Sequence, residues 1–177
     1  AKCGAQTKVI LGGAARECGE CGSQHHPRTD PAVIVLIKDK EDRILLGHQK
    51  VWPTNRFSTF AGFVEPGESF EQCVRREVKE EAGVVVTAMN YLGSQPWPFP
   101  ASIMIAYEAL IDDPTAAQAD GEEIEEIRWY TRESMKAAVQ NQSIILPPTI
   151  SVARAMINRW YGSSADRDLL GGEAWRN

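Results

Sequence analysis

The chain has 177 residues, of which 43% are hydrophobic and 24% charged, and its formal net charge is −5. This length and composition suit one globular domain with a small appendage. The negative charge argues against a large nucleic-acid surface, because nonspecific binding of nucleic acid requires clustered Lys and Arg. No apolar run approaches the roughly 18 residues of a membrane helix, so we expect a cytoplasmic protein without a membrane partner.

Three of the four cysteines stand near the start of the chain. Cys18 and Cys21 form a C-x-x-C pair followed by glycine, and Cys3-Gly4 precedes them. Two such knuckles around a short hairpin are typical of a zinc ribbon with tetrahedral thiolate ligands. The alternative is a set of reduced thiols that bind no metal. Cys73 has no partner by spacing, and we expect a small buried hydrophobe there.

The elements that follow alternate between strands and helices. An unbroken apolar run at 32–37 predicts a buried strand, and 39–42 is its turn. We also predict strands over 44–48, 57–63, 84–92, 102–111 and 124–130, and helices over 133–139 and from 149 or 151 to 160.

The segment 69–82 predicts the best-defined helix. It lacks Pro and Gly and repeats apolar residues at helical spacing, with Ser69 as N-cap, Gln72 as a weak capping box and Gly83 just past its end. Three carboxylates then share one side of the helix, which disfavours an isolated helix by a few tenths of a kcal/mol per pair. A divalent cation such as Mg²⁺ or Mn²⁺ would turn that repulsion into attraction. These carboxylates belong to Glu77, Glu80 and Glu81.

Residues 62–84 fit the pattern G-x5-E-x7-R-E-U-x-E-E-x-G-U, where U is bulky and apolar, at each fixed position. This stretch resembles the signature of the Nudix hydrolases, enzymes that cut a diphosphate linked to another moiety. The resemblance implies an α/β/α sandwich with a mixed sheet. It also implies that Arg76 orients a catalytic glutamate, and that the carbonyl of Ala61 completes a metal site with Glu77 and Glu81.

A second motif reads SQPWPFPAS over 94–102. Alternating prolines remove ladder N–H groups and predict an extended segment, in which Trp97 and Phe99 point to one side as a platform for flat rings. Composition alone favours a Pro-rich surface loop or a polyproline ligand. Beside a Nudix motif, however, the segment is similar to the marker of NADH pyrophosphatases. That resemblance implies substrate contacts by Gln95, Pro96, Trp97, Pro98, Phe99, Pro100, Ala101 and Ser102.

The same group carries a zinc ribbon just before its Nudix domain, ending in P-R-T-D-P, which this chain has at 27–31. The domains expected are therefore a ribbon at 1–30, a Nudix domain at 31–162 and a C-terminal tail at 163–177. In the family pattern, the missing first cysteine falls one residue before Ala1, which suggests that the natural protein has further N-terminal residues. Alternatively, His25 or His26 supplies the fourth zinc ligand.

Three further residues have roles only through the resemblance. The family places a metal-binding or water-activating glutamate in the segment at 120–129, and we assign it to Glu122. Glu123, Glu125 and Glu126 compete for that role, and an acidic solvated strand edge is the other interpretation. Ala153, in LPPTISVAR, would lie against the nucleotide, and His26 would reach substrate across a dimer.

The resemblance implies hydrolysis of NAD(H) to nicotinamide mononucleotide and AMP by a homodimer, with Mg²⁺ or Mn²⁺ as catalytic ion and Zn²⁺ as structural ion. The same reaction would remove an NAD cap from the 5′ end of RNA. Glu77 or Glu80 would assist as general base. The competing hypotheses are a Nudix hydrolase for another nucleotide, such as ADP-ribose, and a non-catalytic zinc-ribbon RNA-binding protein.

Overall fold

A computed structural model describes residues 3–170, and the chain divides into two compact units, Ala1–Asp30 and Pro31–Asn177. The smaller unit is a three-stranded antiparallel sheet in which a short 3-10 turn joins the first two strands. Ala15 and Cys18 are its buried residues. The strands are β1 (Thr7–Ile10), β2 (Ala15–Cys18) and β3 (Gln24–His25).

The larger unit is built on a six-stranded sheet. Its strands are β4 (Asp30–Lys38), β5 (Ile44–Gln49), β6 (Phe60–Phe63), β7 (Val86–Trp97), β8 (Ser102–Ile111) and β9 (Ile124–Tyr130). Its helices are α1 (Phe70–Ala82), α2 (Arg132–Gln140), α3 (Val152–Tyr161) and α4 (Ala165–Asp168), with a 3-10 turn at Pro114–Ala116. The strand order is β7-β8-β4-β5-β9, and β6 pairs with β4.

Helices cover both faces of this sheet, which explains the unbroken apolar sequence of β4. Val33, Val35 and Ile37 pack in the cluster that contains the buried side of α1, whereas Ile34 and Leu36 pack in the cluster with α2 and α3. A strand buried on both faces reads as a continuous apolar run. Each buried aliphatic side chain contributes roughly 1.5–3 kcal/mol, so the register is strongly specified. The predicted α/β sandwich is confirmed.

The predicted C-terminal tail begins in contact with the larger unit. Among its described residues, Leu169 is buried and its carbonyl accepts a hydrogen bond from Arg154. Asp168 adds an ion pair with Lys136 at 3.3 Å. Residues 171–177 of the predicted tail lie outside the described residues. Within residues 3–170, no helix is long and apolar enough to cross a membrane.

Candidate active site

Helix α1 is positioned by caps at both ends. Ser69 and Gln72 form the predicted capping box, and Gly83 ends the helix with a left-handed φ of 72°. Cys73, Val74 and Val78 are fully buried against the sheet. Because these residues fix the rotation of the helix, its carboxylates lie along the border between core and solvent.

The carboxylates of α1 differ in exposure. The side chain of Glu80 is 58% exposed, whereas that of Glu77 is 12% exposed and Glu81 as a whole is 4% exposed. Burial raises the pKa of Glu77, against the lowering effect of Arg76. Burial, followed by the negative charges of Glu123 and Glu77, raises the pKa of Glu81 to about 8. The pair Glu77 and Glu81 is therefore the part of the motif that is destabilised when both are ionised.

The glycine of the motif leaves room for one of these carboxylates. Gly62 lies in β6, and a Cβ built there would stand 1.9 Å from the Cδ atom of Glu77. Any other residue would displace that carboxylate. The neighbouring Ala61 contributes a backbone hydrogen bond that lowers the pKa of Glu81.

Arg76 connects the loop between β6 and α1 to the helix. The resemblance implies that it orients a catalytic glutamate. Its guanidinium donates two 2.9 Å hydrogen bonds to Glu68, one of 2.8 Å to Glu77 and one of 3.0 Å to Glu80. It also donates to the carbonyl of Phe63 at 3.1 Å. The bonds from Arg76 lower the pKa of Glu68 to about 2. Arg76 therefore holds Glu77 in place through a charge-assisted network.

On the acidic segment before β9, the structure places Glu123, and not Glu122, beside Glu77. The Asp120 carboxylate accepts hydrogen bonds from the N–H groups of residues 122, 123 and 124, which makes a tight turn. Glu123 then lines the same cavity as Glu77, and Gln49 donates a 2.9 Å hydrogen bond to its Oε1 atom. This turn determines which glutamate of the segment points towards Glu77. The spacing of residues in the sequence did not predict the turn.

The other two candidates have different neighbours. Glu125 lies 3.9 Å from the imidazole of His48, and Glu126 pairs with Arg128. The signal that could have favoured Glu123 is the Asp120-Gly121 turn, since an Asp side chain commonly bonds backbone N–H groups two or more residues on.

The chemistry of these carboxylates suits a divalent cation, although within residues 3–170 only a cysteine cluster has three ligand atoms within 4.8 Å of one another. The Oε2 atom of Glu81 is buried and has no hydrogen-bond partner within residues 3–170. The charge of Glu123 contributes to the raised pKa values of Glu77 and Glu81, and the charge of Glu77 contributes to that of Glu81. An orphaned carboxylate oxygen among like charges matches the all-oxygen donor set that Mg²⁺ and Mn²⁺ prefer.

Residues 94–97 of the Pro-rich segment are extended as predicted, whereas residues 98–101 form the turn of a hairpin. β7 continues through Trp97, residues 98–101 form the turn, and Ser102 begins β8 opposite Trp97. Pro96 is tolerated because β7 is an edge strand. The turn, and not an extended chain, brings Trp97 and Phe99 together, with ring centroids 5.4 Å apart and planes at 72°. Pro98, Pro100 and Ala101 shape this turn.

Two cavities meet at Trp97 and Met104. The first, here called the acidic cavity, has a volume of about 380 Å³ and is lined by Ala32, Ala61, Gly62, Phe63, Glu77, Trp97, Phe99, Ser102, Met104 and Glu123. The second, the apolar cavity, has a volume of about 190 Å³ and is lined by Ile34, Ser58, Gln95, Trp97, Met104, Pro147, Pro148, Ser151, Val152 and Ala153. A charged group and a flat ring of one ligand can therefore occupy adjacent spaces.

In the smaller unit, three cysteines converge as predicted. The Sγ atom of Cys3 lies 3.4 Å from that of Cys18 and 3.5 Å from that of Cys21, and the three form a potential metal cluster. Hydrogen bonds from Ser23 lower the pKa of Cys21 to about 7, which favours the thiolate. His25 reaches Ser23, at 3.3 Å, rather than a thiol. His26 follows β3.

Comparison with known proteins identifies the family of the chain. The family model described as "NUDIX domain" matches residues 28–147. The chain is 46% identical over 166 residues to "NAD-capped RNA hydrolase NudC" of Mycobacterium bovis, covering 89% of this chain and 53% of that protein. It is 41% identical over 170 residues to "NAD-capped RNA hydrolase NUDT12" of Homo sapiens, covering 89% and 37%. The chain thus spans about half or less of the length of these relatives.

A solved structure extends the likeness of the fold to almost the whole chain. The crystal structure of a NUDIX hydrolase from Nitrosomonas europaea aligns with a TM-score of 0.64 at 18% identity, covering 97% of this chain and 92% of that one. At that identity the likeness concerns the fold alone. The family match covers the loop, helix and acidic segment described above, and the chain belongs to the Nudix family.

Proposed function

We propose that the protein hydrolyses the diphosphate of NAD(H) to nicotinamide mononucleotide and AMP, and removes NAD caps from RNA. The observation that carries this proposal is that the two cavities share Trp97 and Met104 in their walls. The acidic cavity suits a diphosphate with its cation, and the aromatic and apolar walls suit the flat rings on either side. The names of the two relatives support the same substrate.

The cation would be held by Glu77, Glu81 and Glu123, with the backbone of Ala61 beside them. A bound Mg²⁺ or Mn²⁺ would neutralise the diphosphate and lower the pKa of a water molecule. In the reaction, a water oxygen bonds to one phosphorus, the bridging P–O bond breaks, and the water proton passes to a carboxylate. Arg76 keeps Glu77 oriented, and Glu77 or Glu80 accepts that proton.

The ring-binding residues divide between the two cavities. Trp97 and Phe99 present faces at a large angle, so they border a ring from two sides. Ser102 lines the acidic cavity, and Ala153 lines the apolar cavity, where the resemblance places it against the nucleotide. Binding energy from the rings would position the diphosphate without taking part in bond cleavage.

For the smaller unit we propose a structural zinc ion bound by Cys3, Cys18 and Cys21. The separations between their sulfur atoms suit thiolates around one ion. The homodimer, the cytoplasmic location and a substrate contact by His26 stay predictions, which light scattering, fractionation and His26→Ala kinetics would check.

The test is hydrolysis of NADH, ADP-ribose and 5′-NAD-capped RNA in parallel, with Mg²⁺, with Mn²⁺ and with EDTA. We expect metal-dependent release of nicotinamide mononucleotide from NADH and of 5′-monophosphate RNA from the capped substrate. Cleavage of ADP-ribose alone would contradict the substrate and keep the chemistry. RNA binding with no cleavage of any substrate, in zinc-replete protein, would favour a binding module.

A further inference from the structure

Besides the indole of Trp97, three polar side chains line the otherwise apolar cavity: Ser58, Gln95 and Ser151. A side chain that makes no hydrogen bond within the protein has the most capacity left to bond the polar edge of a ring. The hydrogen bonds that each side chain already makes within the protein therefore indicate which residue can bond the ligand.

The hydroxyl of Ser151 is already occupied. It donates to the carbonyl of Pro148 at 2.9 Å and accepts from the N–H of Arg154 at 3.2 Å, as the N-cap of α3. Its role is to begin the helix.

The amide of Gln95 makes one hydrogen bond from each end, which leaves one N–H and one oxygen lone pair unused. Its Nε2 donates to the carbonyl of Ile150 at 2.8 Å, and its Oε1 accepts from the N–H of Val152 at 2.8 Å. Val152 is the first residue of α3, and its N–H is one of the four that lack a partner inside any helix. Gln95 thus bonds the segment 150–152 to β7 much as a neighbouring strand would.

Ser58 is different. It is 7% exposed, and its backbone exchanges two 2.9 Å hydrogen bonds with Gly47, so its position is fixed. Within residues 3–170, no hydrogen bond involves its hydroxyl, which faces the cavity lining. Because the hydroxyl borders the cavity and makes no hydrogen bond within the described residues, a ligand in the cavity can bond it directly.

We propose that Ser58 is the specificity-determining residue of the apolar cavity, where its hydroxyl bonds the polar edge of a nitrogen heterocycle. Gln95, predicted from sequence as a substrate contact, is a positioning residue that fixes the opposite wall. The proposal rests on the proposed function only in taking the heterocycle from a dinucleotide. Its chemistry, an amino or carboxamide group on a flat ring, is shared by adenine and nicotinamide.

The first test compares Ser58→Ala with wild type on NADH. We expect KM to rise roughly 2- to 10-fold, the usual effect of one neutral hydrogen bond, with kcat nearly unchanged because the contact is the same in ground and transition states. The matched control is Thr59→Val, which removes the neighbouring buried and unpaired hydroxyl, away from the cavity lining. An equal KM for Ser58→Ala and wild type would overturn the proposal.

Modified dinucleotides identify the ring. Nicotinic acid adenine dinucleotide alters the carboxamide, and nicotinamide hypoxanthine dinucleotide alters the adenine amino group. We expect wild type to discriminate against one of them and Ser58→Ala to lose that discrimination. Unchanged discrimination against both analogues would contradict a contact by Ser58.

Direct binding separates this inference from the proposed function. Calorimetry with AMP and with nicotinamide mononucleotide needs no turnover, so it remains informative if wild type hydrolyses no dinucleotide. We expect Ser58→Ala to weaken one mononucleotide roughly 2- to 10-fold and leave the other unchanged. Binding of neither mononucleotide by wild type would overturn the assignment of the cavity to a ring.

Hydrogen exchange distinguishes the role of Gln95. Replacing it by leucine should speed exchange of the Val152 amide and raise KM, because the wall at 150–152 loses both bonds to β7. Ser58→Ala should leave that exchange unchanged. A raised KM for Gln95→Leu with unaltered exchange would mean that Gln95 contacts substrate directly.

Discussion

The acidic and apolar cavities share Trp97 and Met104 but differ in how completely their polar side chains are hydrogen-bonded. In the acidic cavity, Glu77 and Glu123 approach the buried Glu81, and an oxygen of Glu81 has no partner within the described residues. In the apolar cavity, Gln95 and Ser151 each make two hydrogen bonds to the backbone.

This difference separates two kinds of preorganisation. We expect a cation to stabilise the acidic cavity, so the free energy of unfolding should depend on metal and pH. The apolar cavity contains no titratable lining residue and has its walls fixed beforehand. Ring recognition can therefore be altered without changing the ion site, and the ion site can be disabled without loss of fold.

The largest effect should come from Glu77→Gln, which tests whether the acidic cavity serves catalysis rather than stability. Loss of this carboxylate should reduce kcat/KM roughly 10²- to 10⁴-fold. The metal-free protein should unfold at a temperature no lower than wild type, because one repelling charge is removed. The control is Glu71→Gln, whose carboxylate on the same helix bonds Tyr107. Full activity of Glu77→Gln would refute the assignment of the site.

Gly62→Ala should disrupt the acidic cavity by steric overlap, without changing its charge. The added Cβ would overlap the Glu77 carboxylate, and such overpacking lowers the free energy of unfolding by about 1–3 kcal/mol. Activity and Mn²⁺ affinity should fall together. The double variant Gly62→Ala/Glu77→Ala should regain the stability of Glu77→Ala alone, which denaturant unfolding would measure as a coupling energy. Purely additive effects would argue against this contact.

A comparison of Glu123→Gln with Glu122→Gln tests which of these two carboxylates binds the cation in the acidic cavity. We expect Mn²⁺ affinity to fall roughly 10- to 100-fold for Glu123→Gln, and to stay near wild type for Glu122→Gln, by analogy with losses at metal-site partners. Gln49→Leu, which removes the hydrogen bond to Glu123, should have a smaller effect of the same sign. Calorimetric titration with Mn²⁺ checks all three. A reversed order would restore Glu122 as the ligand.

The smallest effect concerns pH. The pKa of Glu81 in the folded protein, about 8, exceeds its ordinary value of 4.5. The folded state therefore binds the proton more tightly, so this stabilisation is present below pH 4.5 and is lost as pH rises towards 8. In EDTA, Tm should fall between pH 5 and pH 8, by about 2–4 °C per kcal/mol lost.

Added Mg²⁺ should restore Tm most at the higher pH, because metal ligands must be deprotonated. Glu81→Gln should flatten the profile, whereas Ser58→Ala should leave it unchanged. A profile in EDTA that is the same for wild type and Glu81→Gln would show that Glu81 does not set it.

The local part of this architecture could be predicted from the sequence. The caps at Ser69 and Gly83, the run of β4 and the N-caps at Thr131 and Ser151 all appear where short-range patterns indicate them. The periodicities of helices and strands reflect which side chains are buried over a few residues, so these elements can be predicted from the sequence. The acidic motif is local for the same reason, since its carboxylates lie within two turns of one helix.

What remained open depended on contacts between distant segments. Glu122 and Glu123 are equivalent by composition, and the turn at Asp120 together with Gln49, 74 residues earlier, decides between them. The sequence predicts Gln95 as a substrate contact, but its two hydrogen bonds to residues 150 and 152 follow from no short-range pattern.

The amino-acid sequence by itself thus determined the family, the acidic helix and the aromatic hairpin residues, because these follow from spacing along one segment. Only the tertiary structure decided which carboxylate faces Glu77 and which polar side chain of the apolar cavity stays unbonded. The physical reason is that a hydrogen bond between residues dozens of positions apart produces no periodic pattern in the sequence.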